Sequence, residues 1–295
     1  MKTQLSERWL IIGAFAVIYI IWGSTYLVNF MAIQAIPPFL MSGTRFLAAG
    51  GLLLLLSTTK KHPPITLRQY RNAVLMGFLF LSVGAGCVVW AEQFIDTGKV
   101  ALLIAFDPLL VLFMMWAIQG SRPGPWSILG TILGILGMGL LVGQPQFTAS
   151  KEAVWGLIAI GVSMVAWAIA SIYVTKIELP HSKRQGTAIQ MLGGGFFLFV
   201  FSALSGEFKQ FSFQKLTWPA SFSWLYLVLF GSLLAFSAFN YLLTKVSPAK
   251  VATSTFVNPI VALFLGWAFN EELLSIQSLF AAGILLSGVV FINSQ

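Results

Sequence analysis

Ten mostly apolar stretches occupy most of this 295-residue chain. Each is close to the roughly 20 residues that a helix needs to cross a bilayer. They cover residues 10–31, 38–57, 73–95, 99–119, 126–144, 154–175, 187–205, 223–244, 250–270 and 276–293. The first stretch lacks a small-residue cleavage site, so we expect an uncleaved span and not a signal peptide. The sequence therefore predicts an all-α integral membrane protein with ten transmembrane helices and no soluble domain.

The charged residues indicate the orientation of these spans. Only 9% of the residues are charged, against roughly a quarter in soluble proteins. The net charge of +8 does not predict a nucleic-acid partner, because the basic residues are scattered between apolar stretches. With a cytoplasmic N-terminus, twelve basic residues lie inside and four outside. The positive-inside rule then places both termini in the cytoplasm of a multi-pass protein of the cell (inner) membrane.

An internal repeat relates the two halves of the chain. Residues 99–119 and 250–270 share eight identities in 21 positions at a constant offset of 151, including Lys99/Lys250 and Pro108/Pro259. An offset of 145 pairs Trp22 with Trp167. We therefore predict two five-helix repeats, residues 1–146 and 153–295, within one transmembrane domain.

An odd number of spans per repeat requires the two copies to have opposite orientations in the membrane. This inverted topology is typical of secondary transporters, which bind substrate near the midplane, at the repeat interface. The alternative is that the repeat records an old duplication and carries no information about transport.

Three ionisable residues fall within predicted spans: Arg45, Glu92 and Asp107. Such groups are expensive in a membrane and mark functional sites. Arg45 and Asp107 lie at similar predicted depth, and Glu92 lies nearer the outer end of its span. We expect either a structural ion pair or a coupling site, in which Arg45 orients Asp107 or binds a substrate carboxylate.

The second half replaces these charges with neutral residues. The counterparts of Asp107, Arg45 and Glu92 are Asn258, Gln190 and Leu243. A proton-coupled carrier needs a titrating group, so Asp107 and Glu92 are the candidates for coupling. A passive facilitator needs no such group, and protons are then not a partner.

Aromatic and amide side chains within the spans are the candidates for substrate contact. Ser82, Gly86, Trp90 and Gln93 follow helical spacing and predict a cavity-lining face on the third span. The predicted substrate-binding residues are Trp22, Trp90, Asp107, Trp167, Asn240, Tyr241 and Asn258. The alternative for each aromatic residue is packing or an interfacial position.

Proline and glycine indicate how other spans are used. Pro108 and Pro259 interrupt the fourth and ninth spans, where nearby Ser and Thr side chains either repair a kink or line a cavity. Gly130 and Gly134 form a GxxxG pair in the fifth span, which permits close helix packing and is compatible with a monomer or a weak homodimer. We expect the fifth and tenth spans to be scaffold.

The chain shows no pattern of an enzyme. It has only two histidines, both in predicted loops, and neither a metal-ligand motif nor a Walker A motif. We therefore expect no cofactor, no metal and no nucleic acid, with membrane lipid and a small-molecule substrate as partners. A channel or lipid-handling protein stays open as a further alternative.

Several motifs together resemble the EamA-type branch of the drug/metabolite transporter superfamily. They are Trp22-Gly23, Arg45-Phe46, the midspan prolines, Glu272-Leu273 and Gly288-Val289. The resemblance covers essentially the whole chain. It implies an inner-membrane carrier, usually an exporter of amino acids or related metabolites, with a cavity lined by spans 1, 3, 4, 6, 8 and 9. One departure is Ser121, which replaces the first-half equivalent of Glu272.

The sequence thus predicts a secondary transporter of a small organic metabolite that works by alternating access, with or without proton coupling. The alternative is a passive facilitator or a channel-like pore. A carrier saturates and shows counterflow, whereas a channel does not.

Overall fold

A computed structural model describes residues 2–57, 63–120, 124–142, 150–271 and 275–293, and every regular element within these ranges is helical. The helices are α1 (Lys2–Ile33), α2 (Pro38–Ser57), α3 (Leu67–Ala91), α4 (Thr97–Ile104), α5 (Asp107–Gln119), α6 (Pro125–Val142), α7 (Lys151–Tyr173), α8 (Lys183–Leu204), α9 (Glu207–Gln210), α10 (Trp218–Leu243), α11 (Pro248–Ala252), α12 (Asn258–Asn270) and α13 (Ile276–Asn293). Short 3₁₀ turns cover Phe213–Lys215 and Thr253–Phe256.

Seven helical segments of the described residues are long and apolar enough to cross a membrane: Glu7–Ile33, Pro38–Ser57, Leu67–Ala91, Thr97–Ile118, Lys151–Tyr173, Lys183–Leu204 and Trp218–Leu243. Helices α6, α12 and α13 occupy the positions of the other three predicted spans. Large apolar side chains are exposed along these helices, among them Leu55, Trp155 and Phe222. An apolar exterior suits a lipid environment, so the chain is a multi-pass membrane protein.

Two predicted spans are divided in the structure, close to the two prolines that the sequence analysis singled out. Helix α4 ends at Ile104 and α5 begins at Asp107, and the Thr253–Phe256 turn separates α11 from α12. Pro108 and Pro259 each lie in the first turn of the helix after the break. Proline is tolerated there because its missing N–H would have no intrahelical partner in any case.

Helices α3 and α10 each contain a π-helical segment. The segments cover Phe78–Ala85 and Leu227–Leu234. A π-helical turn leaves backbone carbonyl groups outside the regular ladder, and such segments often occur at functional sites. The sequence analysis did not predict them, because they have no signature in hydrophobic periodicity.

Helices of the first and second halves of the chain pack against each other. Helix α2 lies along α8, α1 packs against α10 and α12, and α7 packs against α3 and α5. Helix α6 packs along α13, where a Cβ added at Gly288 would lie 2.7 Å from the Gly130 carbonyl oxygen. The predicted GxxxG pair therefore serves close packing within this chain, and a dimer would need another surface.

Candidate functional site

A cavity of about 120 Å³ lies between helices of both halves. Helices α1, α2, α3 and α5 contribute to its wall from the first half, and α7, α10 and α12 contribute from the second. Its polar lining consists of Thr25, Tyr26, Asn29, Arg45, Asp107, Ser163, Ser254, Thr255 and Asn258. The arrangement follows from the helix packing, since α1 and α7 each cross the opposite half of the chain.

Four aromatic side chains form one wall of the cavity: Trp22, Trp167, Phe236 and Phe239. The Trp22 and Trp167 rings meet edge to face at a centroid distance of 5.7 Å. The Phe239 ring lies 5.1 Å from Trp22 and 5.2 Å from Trp167. Their mutual contacts hold the rings in place, which gives the cavity a rigid apolar side.

Side chains from α1 and α7 satisfy carbonyl groups of the two π-helical segments. Trp22 Nε1 donates to the Gly231 carbonyl oxygen at 3.3 Å, and Ser163 Oγ donates to the Gly84 carbonyl oxygen at 2.6 Å. The indole of Trp167 packs against Gly84, where an added Cβ would lie 2.8 Å from Trp167 Cε3. Both π-helical segments are thus fixed against the helix that crosses them.

Arg45 is buried in the wall and is bound to an amide. Its Nη1 donates to Asn29 Oδ1 at 2.6 Å, and its guanidinium lies 4.4 Å from the centre of the Phe46 ring. The described residues form no salt bridge between Arg45 and Asp107. The structure thus brings the two predicted residues to one cavity but does not show the expected orienting contact.

Asp107 carries the unpaired charge of the site. It is only 3% exposed, and Oδ1 is buried without a hydrogen-bond partner among the described residues. Its carboxylate acts electrostatically on Tyr26. Asp107 is also the first residue of α5, where the partial positive charge of a helix N-terminus favours an anion.

Glu92 is buried behind the cavity and does not belong to its described lining. Its charge acts on both Arg45 and Tyr26. Glu92 therefore contributes to the electrostatics of the site without a place on the surface that a ligand would touch.

Asn258 is the first residue of α12, directly after the second helix break, as Asp107 is the first residue of α5 after the first break. With the amide nitrogen toward α1, Asn258 donates to the carbonyl oxygens of Ser254 at 3.1 Å, Ile18 at 3.3 Å and Tyr19 at 2.9 Å. This neutral side chain links the break to α1, which explains why an amide suits the position.

Three predicted contact residues lie away from the cavity formed by the described residues. The Trp90 ring packs against Phe94 at 5.0 Å, and Asn240 Nδ2 donates to Gln190 Oε1 at 3.0 Å. The centre of the Tyr241 ring lies 5.8 Å from Lys183 Nζ and 5.9 Å from Lys245 Nζ. Trp90 and Asn240 are thus engaged in packing contacts, and the Tyr241 ring lies near two lysine side chains.

The predicted cavity face of α3 points to α8 instead. Ser82 Oγ donates to the Gly194 carbonyl oxygen at 2.8 Å, and a Cβ at Gly86 would lie 2.6 Å from Leu198 Cδ2. The cavity is lined by a different face of α3, which contains Gly84 and Val88. Ser82 and Gly86, four residues apart, thus share one helical face as the spacing predicts, and that face packs against α8.

The sequence analysis also missed four residues of the cavity lining and one buried carboxylate with a structural role. Tyr26, Ser163, Phe236 and Phe239 line the cavity, yet nothing distinguishes them from other apolar or small residues of the spans. Glu207 is a second missed residue type: it is buried and accepts from the backbone N–H groups of Phe39 at 3.2 Å and Leu40 at 2.8 Å, at the start of α2. Its position in a predicted loop gave no signal of burial.

Comparisons with known proteins agree with this architecture. The model of the EamA-like transporter family matches residues 8–143 and 154–294. The chain belongs to the EamA-like transporter family. The predicted family resemblance is therefore confirmed, and a transporter is not an enzyme. Of the motifs behind that resemblance, Ser121 and Glu272-Leu273 lie outside the described residues.

The curated relatives are named as transporters. The uncharacterized inner membrane transporter YedA of Escherichia coli K12 is 37% identical over 95% of this chain and 90% of its own length. The uncharacterized transporter YoaV of Bacillus subtilis is 25% identical, with 93% of each chain covered.

A solved crystal structure shares the fold. It has a TM-score of 0.66 at 16% identity and covers 98% of this chain and 97% of its own. Together the comparisons show a membrane transporter, and a likeness at this identity supports the fold alone.

Proposed function

We propose that this chain is a secondary transporter that exports a small organic metabolite, an amino acid or a related compound, across the cell (inner) membrane by alternating access. The observation that carries the proposal is the cavity between the two halves, which has an aromatic wall and one buried unpaired carboxylate, that of Asp107. A cavity shared by two repeats can open to either side when one half rocks against the other.

The proposal includes ten spans in two inverted five-helix repeats, residues 1–146 and 153–295. Each half matches the same family model separately. The helix breaks precede Asp107 and Asn258, which are related by the repeat. Packing of α1 against α10 and α12 has its counterpart in packing of α7 against α3 and α5, as a pseudo-twofold axis requires.

Contacts among the connecting segments support cytoplasmic termini. Glu7, near the N-terminus, forms an ion pair with Lys245, and Arg68 Nε lies 3.6 Å from Glu178 Oε2. The Glu7 carboxylate raises the pKa of Lys245 above its ordinary value. All of these residues belong to the side that the basic residues mark as cytoplasmic.

Transport in proteoliposomes tests the proposal. Purified protein is reconstituted, and uptake of labelled amino acids and amines is measured with and without an unlabelled internal load. A carrier predicts saturable uptake that the internal load accelerates. Linear, unsaturated uptake would instead support a channel-like pore.

Coupling is tested with the two buried carboxylates. We expect Asp107→Asn or Glu92→Gln to abolish the acceleration that a pH gradient causes. Full gradient-driven transport by both variants would contradict proton coupling and would favour a passive facilitator.

A further inference from the structure

The charge balance around the cavity is the starting point for a further inference. Among the described residues, Arg45 and Asp107 are the charged residues of the cavity lining, and the buried Glu92 acts electrostatically on Arg45. These three formal charges sum to one negative charge, whereas the buried Lys99 is paired with Asp96. Glu92 acts electrostatically on Arg45, and Arg45 Nη1 donates to Asn29, whereas Arg45 Nε is buried without a hydrogen-bond partner among the described residues. Asp107 is left without a cation from the described residues.

Within the described residues, helices α1, α7, α10 and α12 supply no countercharge for Asp107. Tyr26 from α1 is the remaining titratable side chain on the cavity surface, and α7, α10 and α12 line it with neutral residues within the described part of the chain. Lys250, on the helix α11 that packs against α5, is exposed at the surface. Ionised carboxylates are strongly disfavoured in such an environment unless a proton or a cation joins them.

The cavity wall favours an organic cation over an anion. Trp22, Trp167, Phe236 and Phe239 present ring surfaces to the same space as Asp107. Aromatic faces attract ammonium groups, and a nearby carboxylate strengthens that preference. An anionic ligand would meet the uncompensated charge of Asp107.

We propose that Asp107 is one site shared by a proton and by the ammonium group of the substrate, which defines the transported class as small ammonium-bearing compounds. Binding proceeds as Asp107–COOH + R–NH₃⁺ → Asp107–COO⁻···⁺H₃N–R + H⁺, and the released proton leaves to water. Because proton and substrate exclude each other, each inward proton exchanges for one outward ammonium group. This inference rests on the proposed transport function for the exchange, although binding itself is independent of transport.

The cavity size suggests the probes. At about 120 Å³ it approaches the engineered cavity of 150 Å³ that binds benzene. Benzylamine carries an ammonium group on such a ring, benzyl alcohol is its neutral counterpart, and phenylglycine adds a carboxylate. These three compounds separate ring recognition, ammonium recognition and amino-acid recognition.

Isothermal titration calorimetry on the purified full-length protein tests the inference directly. Titration in buffers of different ionisation enthalpy counts the protons released on binding. We expect benzylamine to bind with the release of up to one proton, and in the acidic range its apparent Kd should rise by about tenfold for each unit by which the pH falls. Benzyl alcohol should bind without proton release at least tenfold more weakly.

Three variants make the result specific. Asp107→Asn should abolish proton release and weaken benzylamine binding at least tenfold, and Asp107→Glu should retain proton release. Glu207→Gln removes another buried carboxylate, outside the cavity, and should behave as the unmodified protein does. Size-exclusion profiles and thermal unfolding establish that each variant is folded.

The outcomes distinguish the two proposals. Benzylamine binding that is absent, or that Asp107→Asn leaves unchanged, would overturn the inference. Tighter binding of phenylglycine with Asp107-dependent proton release would support it and identify amino acids as the source of the ammonium group. Asp107-dependent binding without transport in proteoliposomes would uphold the shared site and contradict the proposed transport function.

Discussion

The two helix breaks of this protein occupy equivalent positions in the repeat but differ in their electrostatics. At the first break, Asp107 is buried with Oδ1 unpartnered among the described residues. At the second, Asn258 donates to carbonyl oxygens of Ser254, Ile18 and Tyr19. The difference teaches that one half places a buried carboxylate oxygen without a partner at its break, whereas the other places a neutral link to the neighbouring helix.

The largest effect is expected from Asn258→Asp. The substitution places a carboxylate against three carbonyl oxygens in a buried site, which should lower the free energy of unfolding by about 3 kcal/mol. Thermal unfolding in detergent measures it, and the loss should shrink at low pH, where a protonated carboxyl can donate. A variant as stable as the original protein would remove the proposed difference between the breaks.

The next effect compares the two π-helical segments. Gly84→Ala would place a Cβ 2.8 Å from the rigid indole of Trp167, whereas Gly231→Ala would place one 3.1 Å from the terminal methyl group of Thr25. We expect a loss of about 2 kcal/mol for Gly84→Ala and less than about half of that for Gly231→Ala. Equal melting temperatures for the two variants would contradict the described packing.

A smaller loss is expected from Ser163→Ala. This change leaves the Gly84 carbonyl oxygen without its 2.6 Å donor. Hydrogen bonds between membrane helices contribute about 1 kcal/mol, so the melting temperature should fall slightly. Ser287→Ala is a matched control, because Ser287 Oγ bonds to the Gly283 carbonyl oxygen of its own helix. If both variants unfold at the same temperature, the carbonyl of the π-helical segment does not depend on α7.

The smallest effect on stability is expected from Asp107→Asn. The amide replaces a buried carboxyl group whose Oδ1 has no hydrogen-bond partner among the described residues, so the melting temperature should stay the same or rise. The same variant should lose the pH dependence of substrate binding. A marked fall in melting temperature would indicate that Asp107 has a structural partner and would weaken its assignment as an exchange site.

The sequence predicted the class of the protein and part of the site. The apolar stretches predicted an all-helical membrane protein, and seven of them appear as long apolar helices among the described residues. The prolines marked the two helix breaks, next to Asp107 and Asn258. Trp22, Arg45 and Trp167 line the cavity, and the sequence analysis had selected all three. It could do so because polar and aromatic residues are conspicuous in apolar spans. Their roles in substrate binding stay predictions.

The remaining features depend on three-dimensional packing. Helical spacing places Trp90 on the face of Ser82 and Gly86, and the contact of these two residues with α8 appears only in the packed structure. In the sequence Phe239 does not differ from other apolar residues, and its contacts with Trp22 and Trp167 arise only when α1 and α7 pack against α10. Phe236 then stacks on Phe239. Arg45 bonds to Asn29, a contact between α1 and α2 that sequence depth alone did not distinguish from one with Asp107.

Counterflow in proteoliposomes tests the central claim most directly. Vesicles loaded with unlabelled benzylamine are diluted into a trace of labelled benzylamine, with the original protein or with Asp107→Asn. The account predicts a transient, saturable accumulation of label with the original protein and none with the variant. Uptake that rises linearly with concentration, or that is the same in both, would contradict a carrier that exchanges ligands at Asp107.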